Sequence, residues 1–282
     1  MSDGALYYER RGRGPALMML HGFTGSGRSL DAVARPLARD FATIAPDLPG
    51  HGRSIGAADV GGYTFDRSVA RLVATLGNAG HARAHWLGYS MGARLALACA
   101  VHFPQRVRSL VLVGGRAGIA NPDERLARKR SDETLADQLE TQGVEPFVDA
   151  WLSQPIFATQ RRLGAEFMAG QRSERLANDA RELAASLRGH GPGAQPPLFD
   201  QLDRVAVPVL LVVGSLDQPF VDHARELARR LPDAEICEVA GAGHAVHLEQ
   251  PLAFIESVRE FLRRAASRAQ STHSIQVQET AS

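Results

Sequence analysis

Short apolar segments alternate with helix-patterned segments along most of this chain, and this alternation limits the folds open to it. Five segments rich in Leu and Val are typical of strands buried on both faces: Ala16–Leu20, Phe41–Ala45, His85–Leu87, Ser109–Val113 and Val209–Val213. Apolar residues recur at helical spacing in Phe65–Leu76, Met91–Val101, Asp222–Leu231 and Leu252–Ala265. Such alternation predicts a mostly parallel sheet flanked by helices. Ala234–Val239 is predicted to be the last strand, and Leu6–Glu9 an antiparallel edge strand.

One long stretch interrupts the alternation. Residues 116–202 are charged and helical in pattern, without a convincing strand, and Asn121 followed by Pro122 is typical of a helix start. We expect a helical cap over the carboxyl ends of the strands, where open α/β sheets bind ligands. The end of the chain is rich in Ser, Gln and Ala, which predicts disorder. The predicted domains are a core of residues 1–115 and 203–265, a cap of residues 116–202, and a disordered tail of residues 266–282.

The string Gly88-Tyr89-Ser90-Met91-Gly92 lies between a predicted strand and a predicted helix. This Gly-x-Ser-x-Gly pattern places a serine nucleophile on a strained turn. A side chain at either glycine would collide with neighbouring backbone. The pattern alone is common, but its position between a strand and a helix indicates a catalytic serine at Ser90.

Two further residues complete a possible catalytic triad. Asp217 follows the predicted strand Val209–Val213, and His244 follows Ala234–Val239. The order Ser, Asp, His is that of the α/β-hydrolase fold. The backbone N–H groups of Phe23 and Met91 are candidates for the oxyanion hole. Taken alone, Asp217 could be a helix cap and His244 could be an ordinary loop histidine. Because both follow Ser90 in the expected order, each after its own strand, they predict the triad.

Other histidines give no comparable pattern. His21, His51 and His247 are interpreted as structural or solvent-facing, and no predicted helix contains two histidines at the four-residue spacing of a zinc site. We expect neither a metal nor another cofactor. The formal net charge of +1 gives no field that favours nucleic acid or an anionic membrane. With neither a secretory signal nor a membrane-spanning run in the sequence, we predict a cytoplasmic protein acting as a monomer or small homo-oligomer.

Several longer strings resemble one family within this fold. They are Gly88-Tyr89-Ser90-Met91-Gly92-Ala93-Arg94, Ala127-Arg128-Lys129-Arg130-Ser131-Asp132, Trp151-Leu152-Ser153-Gln154-Pro155-Ile156-Phe157 and Ser186-Leu187-Arg188-Gly189-His190-Gly191. Together they resemble the 2-succinyl-6-hydroxy-2,4-cyclohexadiene-1-carboxylate synthases of menaquinone biosynthesis. The resemblance extends from about Leu6 to Leu262 and includes the cap, where hydrolases of this fold differ most.

The resemblance implies a lyase and not a hydrolase. Its substrate would be 2-succinyl-5-enolpyruvyl-6-hydroxy-3-cyclohexene-1-carboxylate, from which pyruvate is eliminated. Ser90, activated by His244, would remove the proton next to the succinyl ketone, and Asp217 would orient His244. The resulting enolate oxygen would lie in the oxyanion hole, so that neither water nor an acyl-enzyme is needed.

A small-molecule polycarboxylate needs cations, and the resemblance assigns them. Arg94, Arg128 and Arg172 match its arginines, the last on a looser local string, while Tyr89 and Trp151 match residues that line the pocket. Arginine suits the task because its fork binds a carboxylate with two hydrogen bonds. Four of them have an alternative: a buried acid as partner for Arg94, a solvated helix face for Arg128, and plain packing for Tyr89 and Trp151.

Two other functions remain open from the residues themselves. The same triad would serve a serine hydrolase of an ester or a carbon–carbon bond in a carboxylated small molecule, which would not require three arginines. A ligand-binding receptor or inactive scaffold on the same fold would not need Ser90, Asp217 and His244 together.

Overall fold

The computed structural model describes residues 4–56 and 62–279, with side chains described as far as Arg268. Within these residues seven strands form one sheet, in the spatial order β1-β3-β2-β4-β5-β6-β7. The strands are β1 (Tyr8–Arg11), β2 (Ala16–Leu20), β3 (Ala42–Pro46), β4 (Ala84–Tyr89), β5 (Val107–Val113), β6 (Val209–Gly214) and β7 (Ala234–Val239). β1 pairs antiparallel with β3, and the remaining neighbours are parallel.

Helices connect the strands and cover both faces of the sheet. They are α1 (Asp31–Leu37), α2 (Phe65–Asn78), α3 (Met91–His102), α4 (Pro122–Gln142), α5 (Val144–Ser153), α6 (Ala165–Leu176), α7 (Ala180–His190), α8 (Gln218–Arg230), α9 (Val246–Glu249) and α10 (Pro251–Glu279). Short 3-10 helices lie at Gly27–Leu30, Pro104–Arg106, Pro155–Leu163 and Phe199–Arg204. The predicted α/β-hydrolase fold, a mostly parallel sheet flanked by helices, is confirmed.

The central strands are buried on both faces because their side chains alternate between two hydrophobic clusters. In β2, Met18 and Leu20 pack into the cluster that includes α2, α3 and α8, whereas Leu17 and Met19 pack into the cluster that includes α1 and α10. All four side chains are essentially inaccessible to solvent. The continuous apolar sequence of these strands therefore reflects two covered faces, as expected for a parallel sheet.

The edge strand begins later than predicted. β1 starts at Tyr8, which pairs with Pro46, whereas the sequence pattern favoured a start at Leu6. Leu6 is buried, and its N–H donates to the hydroxyl of Thr75 in α2 and not to a neighbouring strand. At the start of the edge strand, a side-chain hydroxyl therefore takes the place of the backbone carbonyl of a neighbouring strand as the hydrogen-bond acceptor.

Helices α4 to α7 follow one another between β5 and β6 and have a small core of their own. Asn121 caps α4 by accepting hydrogen bonds from the N–H groups of Asp123 and Glu124, with Pro122 as the first helical residue. The buried apolar residues of this layer are Ala136, Leu139, Phe147, Leu183, Ala184 and Leu187. The charged outer face noted in the sequence therefore surrounds only a thin apolar interior.

The final helix differs from the sequence-based prediction of a disordered tail after residue 265. α10 begins at Pro251 and continues to Glu279, because no proline or glycine follows Pro251 and many of the residues favour helix. Residues 280–282, the rest of that prediction, lie outside the described part of the chain. Over the described ranges, no helix combines the length and hydrophobicity needed to cross a bilayer.

Candidate active site

Ser90 sits on a strained turn between β4 and α3. Its backbone has φ 51° and ψ −105°, a conformation that non-glycine residues rarely adopt. A Cβ on Gly88 would lie 2.3 Å from the carbonyl oxygen of Gly92, and one on Gly92 would lie 2.2 Å from that of Leu20. Both glycines are therefore required by close backbone contact, and the turn projects the Ser90 hydroxyl from the end of the sheet.

Ser90, His244 and Asp217 form a hydrogen-bonded chain. The Nε2 atom of His244 lies 3.1 Å from Oγ of Ser90, and its Nδ1 lies 2.8 Å from Oδ2 of Asp217. A carboxylate can only accept, so Nδ1 carries the proton and Nε2 is left to accept the serine proton. His244 is almost fully buried, which keeps this pairing away from bulk water.

The imidazole of His244 packs directly on the backbone of Gly114, at the carboxyl end of β5. A Cβ on Gly114 would lie 2.6 Å from Cε1 of His244, and Gly114 has a φ of +57°. Glycine is the one residue type that suits both constraints. The connection after β5 therefore passes next to the candidate base and carries its next side chains into the same space.

Two backbone N–H groups are available beside Ser90. Met91 is the first residue of α3, and Phe23 follows β2 in the loop that also contains Gly22. Among the hydrogen bonds of the described residues, none uses the N–H of Phe23 or of Met91. A helix N-terminus also favours negative charge. The arrangement suits a developing oxyanion.

A pocket with a cavity volume of about 170 Å³ opens over Ser90. Core and cap both contribute to its wall: Gly22, Phe23, Tyr89, Ser90, Met91, Arg94, Gly114, Phe220 and His244 from the core side, and Arg116, Arg128, Trp151, Gln154, Ile156, Phe157, Arg175, Ser186, Leu187, Gly191 and Pro192 from residues 116–202. Four of these described residues are arginines and none is an aspartate or glutamate. The wall therefore favours an anionic, partly apolar ligand.

Arg94 and Arg128, both predicted from the sequence, line this pocket. Arg94 is 6% exposed and donates to the carbonyl of His190 and to Oε1 of Gln195, so the alternative of a buried acidic partner is not observed for it among the described residues. Burial lowers the pKa of Arg94 to about 9, and the nearby cation of Arg128 acts in the same direction. Arg128 itself donates to Asp132 at 2.7 Å.

Arg172, predicted to be a binding residue, is not among the residues that line the pocket. Its guanidinium is held on the surface by Asp149 and Glu145 of α5, each at 2.6 Å, and these carboxylates raise its pKa. Arg175, one turn further along α6, lines the pocket instead. The looser string around Arg172 could not distinguish two arginines three residues apart.

Arg175 and Arg116 are pocket residues that the sequence did not reveal. Arg175 is buried, its Nε has no partner among the described residues, and burial lowers its pKa. Arg116 follows Gly114 and Gly115 after β5 and is half-buried. The one available signal for Arg116 was its position at the carboxyl end of a strand.

Tyr89 and Trp151 contribute aromatic surface to the pocket. The ring of Tyr89 lies 5.3 Å from that of His244, and burial raises its pKa. Trp151 packs edge-on against Phe23 at 5.3 Å and is stacked on Phe147 in the cap. Trp151 therefore belongs both to the interior of the cap and to the pocket wall.

Buried histidines support the loops around the site. His21 accepts a hydrogen bond from the N–H of Leu48, and His51 accepts one from that of Thr24. Burial lowers the pKa values of His21 to about 4 and of His51, His190 and His247 to about 3, so all four are neutral at pH 7. None of the four contacts the hydroxyl of Ser90, in agreement with the structural interpretation of His21, His51 and His247.

Comparisons with known proteins agree with this geometry. Residues 15–251 match a family model described as the alpha/beta hydrolase fold. A Bacillus subtilis (strain 168) protein, named provisionally as a 2-succinyl-6-hydroxy-2,4-cyclohexadiene-1-carboxylate synthase, is 37% identical over 93% of this chain and 96% of its own. A Pectobacterium atrosepticum protein with that synthase name is 34% identical over 88% of this chain and 94% of its own. The solved structure of MenH from S. aureus superposes with a TM-score of 0.88 at 28% identity, covering 94% of this chain and all of that one.

Proposed function

The chain belongs to the α/β-hydrolase fold family and, within it, to the family of the 2-succinyl-6-hydroxy-2,4-cyclohexadiene-1-carboxylate synthases, and we propose that it catalyses their reaction. In that reaction 2-succinyl-5-enolpyruvyl-6-hydroxy-3-cyclohexene-1-carboxylate loses pyruvate, a step of menaquinone biosynthesis. The enzyme is thus a carbon–oxygen lyase on a fold better known for hydrolysis.

The observation that carries this proposal is the joint presence of Ser90 and four arginines in one pocket without an acidic wall residue. The substrate has three carboxylates, on the ring, the succinyl chain and the enolpyruvyl group. Buried guanidinium groups without carboxylate partners are costly unless a ligand supplies the counter-charge. A hydrolase of neutral esters would gain nothing from them.

The proposed chemistry uses Ser90 as a base. Its oxygen takes the ring proton at C2, next to the succinyl ketone, while its own proton passes to Nε2 of His244 at 3.1 Å. The C2–H electron pair becomes an enolate, whose oxygen accepts hydrogen bonds from the N–H groups of Phe23 and Met91. Asp217 stabilises the imidazolium through the 2.8 Å contact to Nδ1.

Collapse of the enolate completes the elimination. Its electrons move through the ring double bond and break the C5–O bond, so that the 2,4-diene forms and enolpyruvate leaves with the electron pair. The proton held by His244 neutralises that leaving oxygen, and Ser90 keeps the proton that it took from C2, so both residues return to their starting protonation states. Enolpyruvate then tautomerises to pyruvate, so protons and electrons balance without water or an added cofactor.

Substrate binding is proposed to involve Arg94, Arg128 and Arg175, with Tyr89 and Trp151 forming the apolar wall. In this scheme residues 116–202 act as a cap domain on a core of residues 1–115 and 203–265. We further propose a monomer or small homo-oligomer working in the cytoplasm, where a water-soluble tricarboxylate would be available. Size-exclusion chromatography and cell fractionation test these two points.

A direct assay tests the function. The purified protein is mixed with the substrate, generated in place by the preceding enzymes of the pathway, and release of pyruvate and diene is followed. Release well above the spontaneous rate, abolished by Ser90→Ala, is the expected result. An unchanged spontaneous rate, together with turnover of a simple aryl ester, would assign the chain to the serine hydrolases instead.

A further inference from the structure

Arg116 lines the pocket, but the reaction proposed above gives it no role in binding or catalysis. Its Nε donates to the carbonyl of Gly118 at 3.3 Å, which fixes the stem of the side chain. None of the ion pairs formed among the described residues involves Arg116, although it is half-buried. A guanidinium held in a pocket wall without a counter-ion indicates a site for an anion.

Arg116 does not act alone, because Arg94 and Arg128 lie close enough to influence it. After burial, the cation of Arg128 is the largest influence lowering the pKa values of both Arg94 and Arg116. We call these three residues the arginine cluster. Asp132 is bound to Arg128, and Glu124 and Glu226 act on Arg116 from beyond ion-pair distance, so the cluster has three cations and three neighbouring carboxylates. None of these carboxylates lines the pocket.

Arg175 occupies a different part of the pocket. Tyr89 and Glu174 are the charged or ionisable neighbours that act on it, and no member of the arginine cluster is among them. Arg175 in turn acts on Tyr89 and on His247, which lie next to His244. The four arginines of the pocket are therefore divided unequally, with three at the end formed by Arg94, Arg116 and Arg128.

Building on the function proposed above, we propose that Arg116 is a specificity-determining residue and that the arginine cluster binds the carboxylate of the enolpyruvyl leaving group. The three substrate carboxylates keep their charge during the reaction. The enolate charge develops at the oxyanion hole, and when the enolate collapses the new negative charge moves to the leaving group. Its charge changes from −1 to −2 when the C5–O electron pair departs. Fixed positive charge is most effective where negative charge develops in the transition state.

The three side chains of the arginine cluster come from different elements of the fold. Arg94 belongs to α3 and Arg116 to the loop after β5, whereas Arg128 belongs to α4 of the cap. A carboxylate bound between them joins the cap to the core. Departure of pyruvate removes that link, so release of the first product and loosening of the cap are coupled.

The test compares Arg116→Gln with Arg130→Gln, which removes the same charge from an exposed position on α4 outside the pocket wall. Each variant is assayed on the full substrate, and pyruvate and succinate are used separately as inhibitors that mimic the two ends. We expect Arg116→Gln to lower kcat/KM by about tenfold or more, the usual effect of losing one charge-assisted hydrogen bond. It should weaken inhibition by pyruvate to a similar extent and leave inhibition by succinate unchanged, while Arg130→Gln behaves as wild type.

Three results would overturn the assignment: wild-type kcat/KM in Arg116→Gln, loss of succinate inhibition in place of pyruvate inhibition, or no inhibition of the wild-type protein by pyruvate. Circular dichroism and the melting temperature check that Arg116→Gln is folded, and Arg116→Lys, which keeps the charge, should recover part of the pyruvate effect. Isothermal titration of pyruvate needs no turnover. One outcome would separate the two proposals: the wild-type protein does not convert the substrate but binds pyruvate, and Arg116→Gln does not bind pyruvate. The proposed function would then be wrong, whereas the arginine cluster would still be a carboxylate site.

Discussion

Arg162 of the cap donates a hydrogen bond of 2.8 Å to the buried carboxylate of Glu249, and the same oxygen of Glu249 accepts the N–H of Gly243 at 2.9 Å. Gly243 directly precedes His244, and Arg162 also contacts the carbonyl of Gly241. One ion pair therefore joins the 3-10 helix Pro155–Leu163 to both sides of the loop that carries the proposed base. The position of His244 depends on the cap as well as on the sheet.

Replacement of Arg162 should reduce turnover without unfolding the protein. In Arg162→Gln the carboxylate of Glu249 keeps the N–H of Gly243 but loses its cation, so the loop is held less tightly. We expect kcat to fall by about tenfold, the effect of about 1.4 kcal/mol in the barrier, with a smaller change in KM. Steady-state pyruvate release measures both constants.

The neighbouring residue provides the control. Arg161 lies in the same 3-10 helix, is exposed, and donates only to the carbonyl of Ser153 at 3.4 Å. Arg161→Gln should retain wild-type kcat, and Arg162→Lys should recover part of the loss. A wild-type kcat in Arg162→Gln would show that the sheet alone positions His244.

Removal of the Arg94 cation should separate the polycarboxylate substrate from a neutral one. Arg94→Gln keeps a polar group near Gln195 but removes the positive charge. A charged hydrogen bond contributes about 1.5–3 kcal/mol, so kcat/KM for the natural substrate should fall by about 10- to 100-fold. Hydrolysis of a neutral aryl ester through the same Ser90 should change by less than about threefold, well under 1 kcal/mol. Equal losses on both substrates would mean that Arg94 supports the fold of the pocket and binds no carboxylate.

Site residues can be predicted from the sequence where a local run of strand, turn and helix alone fixes their position. Ser90 is recognisable because strand, turn and helix follow one another within a few residues, and the glycine at 88 is required by a contact inside that unit. The glycine at 92 is required by a contact with Leu20 of the neighbouring strand β2. Asp217 and His244 were found for the same reason, since each follows a strand whose apolar run is visible in the sequence. The mostly parallel sheet and its covering helices likewise follow from local patterns.

Less could be predicted where the position of a side chain depends on another element. Whether Arg172 or Arg175 reaches the pocket is decided by Asp149 and Glu145 of α5, which hold Arg172 on the surface. Arg116 enters the pocket because the loop before it packs under His244, a contact between distant parts of the chain. No spacing rule within a helix or loop contains this information.

The pair Arg172 and Arg175 gives a matched comparison on one helix. Arg175→Gln should lower kcat/KM by about tenfold or more, because it removes a buried cation from the pocket wall. Arg172→Gln breaks only exposed ion pairs, which contribute little, and should leave turnover unchanged. Pyruvate release by the two variants at identical substrate concentration decides the point. A larger loss in Arg172→Gln would restore the original assignment from the sequence.

Acid should destabilise this protein well above the pH at which its carboxylates titrate. His21, His51, His190 and His247 titrate near pH 6.5 when unfolded, but burial keeps their pKa values at about 3 to 4 in the folded chain. Between these limits the unfolded state binds more protons, so the free energy of unfolding falls as the pH is lowered, by up to about 1.4 kcal/mol per pH unit for each histidine. This stability is fully present above pH 6.5 and decreases towards pH 4.

Urea unfolding at a series of pH values between 7.5 and 5, a range of about 2.5 units chosen to lie above most carboxylate titration, measures that slope. His190→Gln removes one buried titrating group that hydrogen-bonds Ser186 at 2.9 Å, and it should reduce the slope while also lowering stability at neutral pH. His102→Asn, on an exposed position at the end of α3, should leave the slope unchanged. If His190→Gln showed the wild-type slope, His190 would have to titrate alike in the folded and unfolded chain, and its burial would not oppose protonation.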